Sequence, residues 1–208
     1  MKTSSGRWSS RSNKRVSRAV VCRVDVLHVG GHGIDEEPTN QLVTQLHQTA
    51  ANTSGSIHSF IGDSLLLSWN ATRQVGQAET KACRFVAAVD ALLAAPASRH
   101  TGVCAVVCGS TTALFAGDAH QRTFVLSGGF RPILEHFARS ARRMRCSLVD
   151  AATHDVARFH FIKGGVELVR VADDVDGAPD DPSSPPKTGA SPTPETVHLA
   201  YEVVCERE

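Results

Sequence analysis

From Ala19 the segment "AVVCRVDVLHV" is apolar at nearly every position, which predicts a buried strand, and Asp25 is the one acidic residue in it. After "GGHGIDEEP", Leu42, Val43, Leu46 and Ala50 recur at helical spacing. "GSIHSFIGDSLLLSWN" then sets two apolar runs back to back, Ile57 to Ile61 and Ser64 to Trp69, meeting at Gly62-Asp63. That pattern predicts a hairpin, and glycine at the first central position suits a two-residue type II′ loop. "AETKACRFVAAVDALLAA" predicts a long helix rich in Ala and Leu, stopped by Pro96. Three strand-like runs follow, "GVCAVVCG", "TALFAG" and "RTFVLSG". After Gly128-Gly129, "RPILEHFARSARRM" opens a helix with Pro132 in its first turn, where proline is tolerated. "CSLVD" predicts a strand, "AATHDVARF" a short helix, and "HFIKGGVELVRVA" a hairpin turning at Lys163-Gly164-Gly165.

The order β-α-β-β-α-β, with more strands and helices after it, fits an α+β class and a ferredoxin-like βαββαβ sandwich. Composition divides the chain. Residues 1–18 carry six Lys or Arg, six Ser and no acid, without the apolar face of an amphipathic presequence. They read as a disordered basic tail or the boundary of a longer parent protein. Residues 19–172 form the globular unit. Residues 173–195, rich in Pro, Asp and Ser, read as a loop or linker. Residues 196–208, with "TVHLAYEVV", return to a strand pattern.

Charge and cysteine usage narrow the function classes. With 208 residues and a formal net charge of +1, the chain has no overall field to attract nucleic acid or an anionic membrane. No apolar run approaches the roughly 20 residues of a membrane span, and no secretory h-region precedes the first strand, so a cytoplasmic setting is expected. The six cysteines show no Cys-x-x-Cys pair and read as free thiols. "ARSARRMR" holds Arg139, Arg142, Arg143 and Arg145 at spacings suited to a solvated helix face, with no aromatic platform for a nucleic acid. His28, His32, His58, His120, His136, His154 and His160 are spread over different elements and read as surface or strand residues, not ligands.

The candidate chemistry lies in two aspartates. In a ferredoxin-like sheet the first strand is central and lies beside the first hairpin, so Asp25, late in that strand, and Asp63, in the hairpin turn, converge at one end. Paired carboxylates there suit hard cations such as Mg²⁺ or Mn²⁺. The plainer reading leaves Asp63 as a turn residue and Asp25 as a satisfied, half-buried strand residue.

The stretches "VDVLHVGG", "SGSIHSFIGDSLLLSWN", "ALFAGDAHQRTFVLSGG" and "TVHLAYEVV" together resemble class III nucleotidyl (adenylate/guanylate) cyclase domains, most of all the first cyclase domain of soluble adenylyl cyclases. The resemblance implies that Asp25 and Asp63 are the family's metal-binding aspartates, holding two Mg²⁺ or Mn²⁺ ions, and that the backbone after Asp25 faces the phosphates of ATP or GTP. It also implies a dimeric site, completed by a second cyclase domain in a heterodimer or within one parent chain. That second domain type supplies a base-reading Lys and Asp, and an Asn and Arg for the ribose and the transition state.

On that resemblance this chain departs from the complete pattern. Ser59 stands at the Lys position. The Asn and Arg positions fall on Pro132 and His136 in a short-loop register, or on Glu135 and Arg139 in a longer one. Proline has no side-chain donor, and a histidine lacks the guanidinium fork. Ser59 and Glu135 also replace the basic residues that the soluble enzymes use for bicarbonate, and His28, Val29 and Gly30 stand where the family has a Gly-Phe-Thr run. The expectation is therefore the metal-donating half of a dimeric cyclase, nearly inactive alone. The alternative is a catalytically inactive pseudo-cyclase serving as a dimerisation or regulatory module.

Overall fold

The computed structural model describes residues 14–28, 36–96, 98–117, 122–171 and 196–206. In chain order the elements are β1 (Lys14–His28), α1 (Glu36–Asn52), β2 (Ser56–Ile61), β3 (Ser64–Trp69) and α2 (Ala78–Leu93). Next come β4 (His100–Gly117), β5 (Arg122–Ser127), α3 (Phe130–Met144), β6 (Leu148–Asp150), α4 (Ala151–Ala157), β7 (Phe161–Val171) and β8 (Thr196–Glu206). The sheet runs β2-β3-β1-β4-β6-β8-β7, with β5 paired to β4 off this path. β1 is antiparallel to both neighbours, with Asp25 opposite Ser64 on β3 and Val103 on β4. The first six elements thus form the expected βαββαβ unit inside a mixed α/β sheet.

Alternation along β1 decides what each face of the sheet receives. Val20, Cys22 and Val24 point into a core closed by Leu42 and Leu46 of α1 and by Phe85, Val86 and Val89 of α2. Ala19 and Val21 point the other way, into a second core with Phe130, Leu134, Phe137 and Ala141 of α3. The same period of two sends Arg23 and Asp25 to the α3 face. Gly102 pairs with Val26 on the adjacent strand, and a Cβ there would come within 2.7 Å of the Asp25 carbonyl oxygen. Glycine therefore lets β4 lie close beside this end of β1.

Three expectations are corrected. The first strand begins at Lys14, inside the stretch read as a tail, because its backbone pairs with β4 from Lys14↔Ala113 to Val16↔Thr111. The runs "GVCAVVCG" and "TALFAG" are one strand: Ser110, Thr111 and Thr112 continue β4 without a turn. Around Lys163-Gly164-Gly165 there is no hairpin; the glycines sit in a register shift between Lys163 and Val166 while β7 stays paired to β8. The predicted loop over 173–195 and the tail over 1–13 lie outside the described residues. No helix among the described residues is long and apolar enough to cross a membrane.

Candidate functional site

The hairpin that carries Asp63 has the predicted geometry. Ile61 pairs with Ser64, leaving Gly62-Asp63 as the two-residue loop, and the positive φ falls on Gly62 (61°) and not on Asp63, as type II′ requires. The backbone N–H of Val26 donates to the Asp63 carbonyl at 2.8 Å, tying the turn to β1 one residue beyond Asp25. Strand order and turn chemistry therefore bring the two carboxylates to one end of the sheet. Their environments differ: Asp25 is 1% exposed, whereas the Asp63 side chain is 47% exposed.

Asp25 is fully engaged. Its Oδ1 accepts from Arg23 Nε at 2.7 Å and from Ser64 Oγ at 2.6 Å, and its Oδ2 accepts from Arg142 Nε at 2.7 Å. Arg142 also reaches Asp63, with Nη2 3.5 Å from Oδ2, and so spans both aspartates. Ser64 Oγ lies 3.3 Å from the remaining Asp63 oxygen. Burial pushes the Asp25 carboxyl up, but donors from Arg142, Ser64 and Arg23 outweigh it and hold its pKa below the ordinary value. The hydrogen bond to Asp25 in turn raises the pKa of Arg142.

Arg142 is the residue that sequence reasoning misplaced. It belongs to the run read as a solvated basic face, yet it follows Ala141 and lies one turn after Ala138, both buried against the sheet. Its Cβ therefore starts at the edge of the buried stripe, and a long side chain reaches under the hairpin. The signal available was that phase, together with Arg23 two residues before Asp25 on the same strand face.

The other positions weighed in the sequence do not join this cluster. Ser59 is half-buried on β2, and Pro132, Glu135 and Arg139 are exposed on α3. His58 stacks on Phe124 of β5 with ring centroids 4.5 Å apart, and burial lowers its pKa to about 4, so it is neutral at pH 7. His154 stacks on Tyr201 of β8. His28 ends β1, and residues 29–35 and 118–121, which include Val29, Gly30, His32 and His120, lie outside the described residues. Among the described residues no group of three or more His, Cys, Asp or Glu is placed to hold a metal ion.

A half-buried carboxylate lies on the opposite face. Asp90 of α2 accepts from Ser147 Oγ at 2.7 Å, and that hydroxyl accepts from the Cys104 backbone N–H at 2.9 Å. Burial raises the Asp90 pKa to about 6, against the Ser147 hydrogen bond and aided by the charge of Glu202. A carboxyl raised in the folded state destabilises the fold as pH climbs from its unfolded value through about 6. Asp90→Asn keeps the acceptor oxygen and removes the charge. It is expected to raise unfolding stability at pH 7 by about 1 to 2 kcal/mol, a gain that fades below about pH 4. Urea denaturation at both pH values checks it, and a gain equal at both would contradict a charge-burial origin.

No family model matches the sequence, and no curated protein does. Solved structures do match. The guanylate cyclase domain of RhGC from Catenaria anguillulae, solved in complex with GTP, is 13% identical with a TM-score of 0.73, covering 93% of this chain and 100% of that one. The non-canonical dimeric guanylyl cyclase domain of the RhoGC fusion protein from the aquatic fungus Blastocladiella emersonii gives 12%, 0.70, 93% and 99%. The adenylyl cyclase CyaB from P. aeruginosa gives 12%, 0.66, 94% and 97%. Across nearly its whole length, the chain has the fold of class III nucleotidyl cyclase catalytic domains.

Proposed function

We propose that this chain is the aspartate-bearing, metal-donating half of a dimeric class III cyclase site acting on ATP or GTP in the cytoplasm. The observation that carries the reading is the convergence of Asp25 and Asp63, contributed by separate elements yet close enough for one guanidinium to touch both. Their chemistry fits the implied ions: hard carboxylate oxygens at a sheet end suit Mg²⁺ or Mn²⁺. The fit carries one condition, because Arg142 already stands between the carboxylates. When bound, two such ions would supply activation of a ribose 3′-hydroxyl and charge neutralisation at a triphosphate.

The chain's own residues have narrower roles. Asp25 and Asp63 would hold the ions, Ser64 and Arg23 orient the Asp25 carboxylate, and the hairpin fixes Asp63 against β1. The groups that read the base and hold the ribose come from a second cyclase domain, because Ser59 replaces the lysine and neither register on α3 is complete: Pro132 with His136 lacks both the asparagine and the arginine, and Glu135 with Arg139 keeps the arginine but lacks the asparagine. The isolated chain is expected to turn over very little nucleotide. The likeness to the first domain of soluble adenylyl cyclases belongs to this reading.

A second reading, a pseudo-cyclase that retains the fold as a dimerisation or regulatory module, is favoured by one observation. The four side chains Arg23, Asp25, Asp63 and Arg142 sum to zero formal charge, so the carboxylates are balanced without a metal.

A thermal-shift titration with Mn²⁺ and a non-hydrolysable ATP or GTP analogue separates the two. Ligand at about 100 times Kd adds roughly 2.7 kcal/mol to the native state. The half-site reading expects a metal-dependent rise in Tm that is lost in Asp25→Asn/Asp63→Asn, compared at matched distance from each protein's own Tm. No rise with either nucleotide at saturation supports the pseudo-cyclase.

A further inference from the structure

We propose that Arg142 is the resident counter-cation of the Asp25/Asp63 pair, and that a divalent ion enters this site only by displacing it. The inference rests on the metal-site reading above. Three of the four carboxylate oxygens of the pair already have a donor: Arg23 and Ser64 at Asp25 Oδ1, and Arg142 at Asp25 Oδ2 and at Asp63 Oδ2; the single Ser64 hydroxyl proton goes to Asp25 at 2.6 Å, leaving Asp63 Oδ1 at 3.3 Å without it. Among the described residues Arg142 is the charged donor that contacts both aspartates, which is the position a bridging cation takes.

The two arginines are not equivalent. Arg23 is anchored in a central strand, its Nε on Asp25 and its Nη2 3.1 Å from Ser64 Oγ, with its side chain 27% exposed. Arg142 stands in the last turn of α3, three residues before the left-handed Arg145 that ends the helix, and its side chain is 36% exposed. Rotation about its side-chain bonds carries the guanidinium into water with no change in the backbone. Its contact with Asp63 is long, at 3.5 Å, and that aspartate is itself half in solvent. With Arg142 swung out, the site holds two carboxylates and one arginine, a net charge of −1, and both Asp63 Oδ2 and Asp25 Oδ2 are free to ligate. While Arg142 is in place its charge repels an incoming dication and fills the space between the ligands. Metal affinity is therefore set by a competition inside the chain.

The test measures Mn²⁺ binding by the loss of the free aqua-ion EPR signal and by calorimetry, without nucleotide or turnover. The proteins are wild type, Arg142→Gln, Arg142→Lys, and each of wild type and Arg142→Gln with Asp25→Asn/Asp63→Asn added; circular dichroism confirms that each is folded. Removing the charge in Arg142→Gln is expected to tighten Mn²⁺ binding by at least about tenfold, while Arg142→Lys, which is also shorter but keeps the charge, stays within about threefold of wild type. Equal affinity in wild type and Arg142→Gln, lost in both when the aspartates are changed, overturns the counter-cation and leaves the metal site standing. Equal tightening by Gln and Lys overturns it too, since a smaller side chain and not a missing charge would then explain the gain. Binding that survives the aspartate changes, or no binding in any variant, overturns the metal site and the inference with it.

Discussion

Replacing Asp25 with alanine is expected to lower the unfolding free energy by about 2 to 3 kcal/mol, against less than about 1 kcal/mol for Asp63→Ala. The contrast follows from burial. Asp25 is 1% exposed and accepts from three side chains, so its removal strands Arg23 and Arg142 around a void. Both arginines keep some solvent access, which holds the cost to the lower end for a broken buried pair. Among the described residues Asp63 loses one long ion pair at the surface and a 3.3 Å contact with Ser64 Oγ. The pH dependence has a definite sign. The folded pKa of Asp25 is lowered, so its contribution is complete above the unfolded value of about 3.9 and is lost as pH falls through the folded one. Urea unfolding of the two variants at pH 7 and at pH 3 checks both points. Equal losses for the two aspartates, or a loss for Asp25→Ala that persists undiminished in acid, would contradict the buried ion pair. The consequence reaches the metal question: a residue whose removal costs this much is held in place by the fold whether or not an ion binds.

A larger loss is expected at Trp69. Its side chain is fully buried at the end of β3, meets Phe85 of α2 edge-on with ring centroids 5.4 Å apart, and donates from Nε1 to the Thr53 carbonyl at 2.9 Å. Gly55 leaves room for the ring, since a Cβ there would lie 3.1 Å from it. Trp69→Ala removes the indole, opens a cavity between the hairpin and α2, and orphans the Thr53 carbonyl. The expected cost is about 4 kcal/mol, a Tm drop of roughly 8 to 16 °C for a chain of this size. Trp69→Phe keeps most of the volume and loses the hydrogen bond, and is expected to cost about 1 to 2 kcal/mol. Circular dichroism is the suitable probe, because Trp69 is one of only two tryptophans and its substitution itself changes the fluorescence. A Tm drop for Trp69→Ala no larger than that for Trp69→Phe would mean that this corner of the core collapses around the hole.

Where periodicity was strong, sequence and structure agree. α2 ends before Pro96 as the proline requires, α3 carries Pro132 in its first turn, and the Gly62-Asp63 hairpin has the expected loop. The mismatches have local causes. Ser and Thr between two apolar runs look like a break, yet threonine suits a strand, and Thr111 is buried where β4 continues. Two adjacent glycines signal a turn, and in β7 they are absorbed by a register shift. Lys14 to Arg18 are basic by composition, but a strand needs only backbone partners, and β4 offers them. In the candidate site, both aspartates and their convergence were legible from strand order. Arg142 was not, because a salt bridge spanning 117 positions leaves no mark in local spacing.

That separation bears on how the chain assembles. The hairpin closes over a two-residue loop between neighbours in sequence, whereas β1 pairs with β4 across α1, the hairpin and α2, and the Asp25–Arg142 contact needs α3 docked on the face of the sheet that carries Asp25. Long-range pairings of this kind slow folding, since loop closure precedes any reward. The Asp25–Arg142 contact carries a loop-closure cost of that kind.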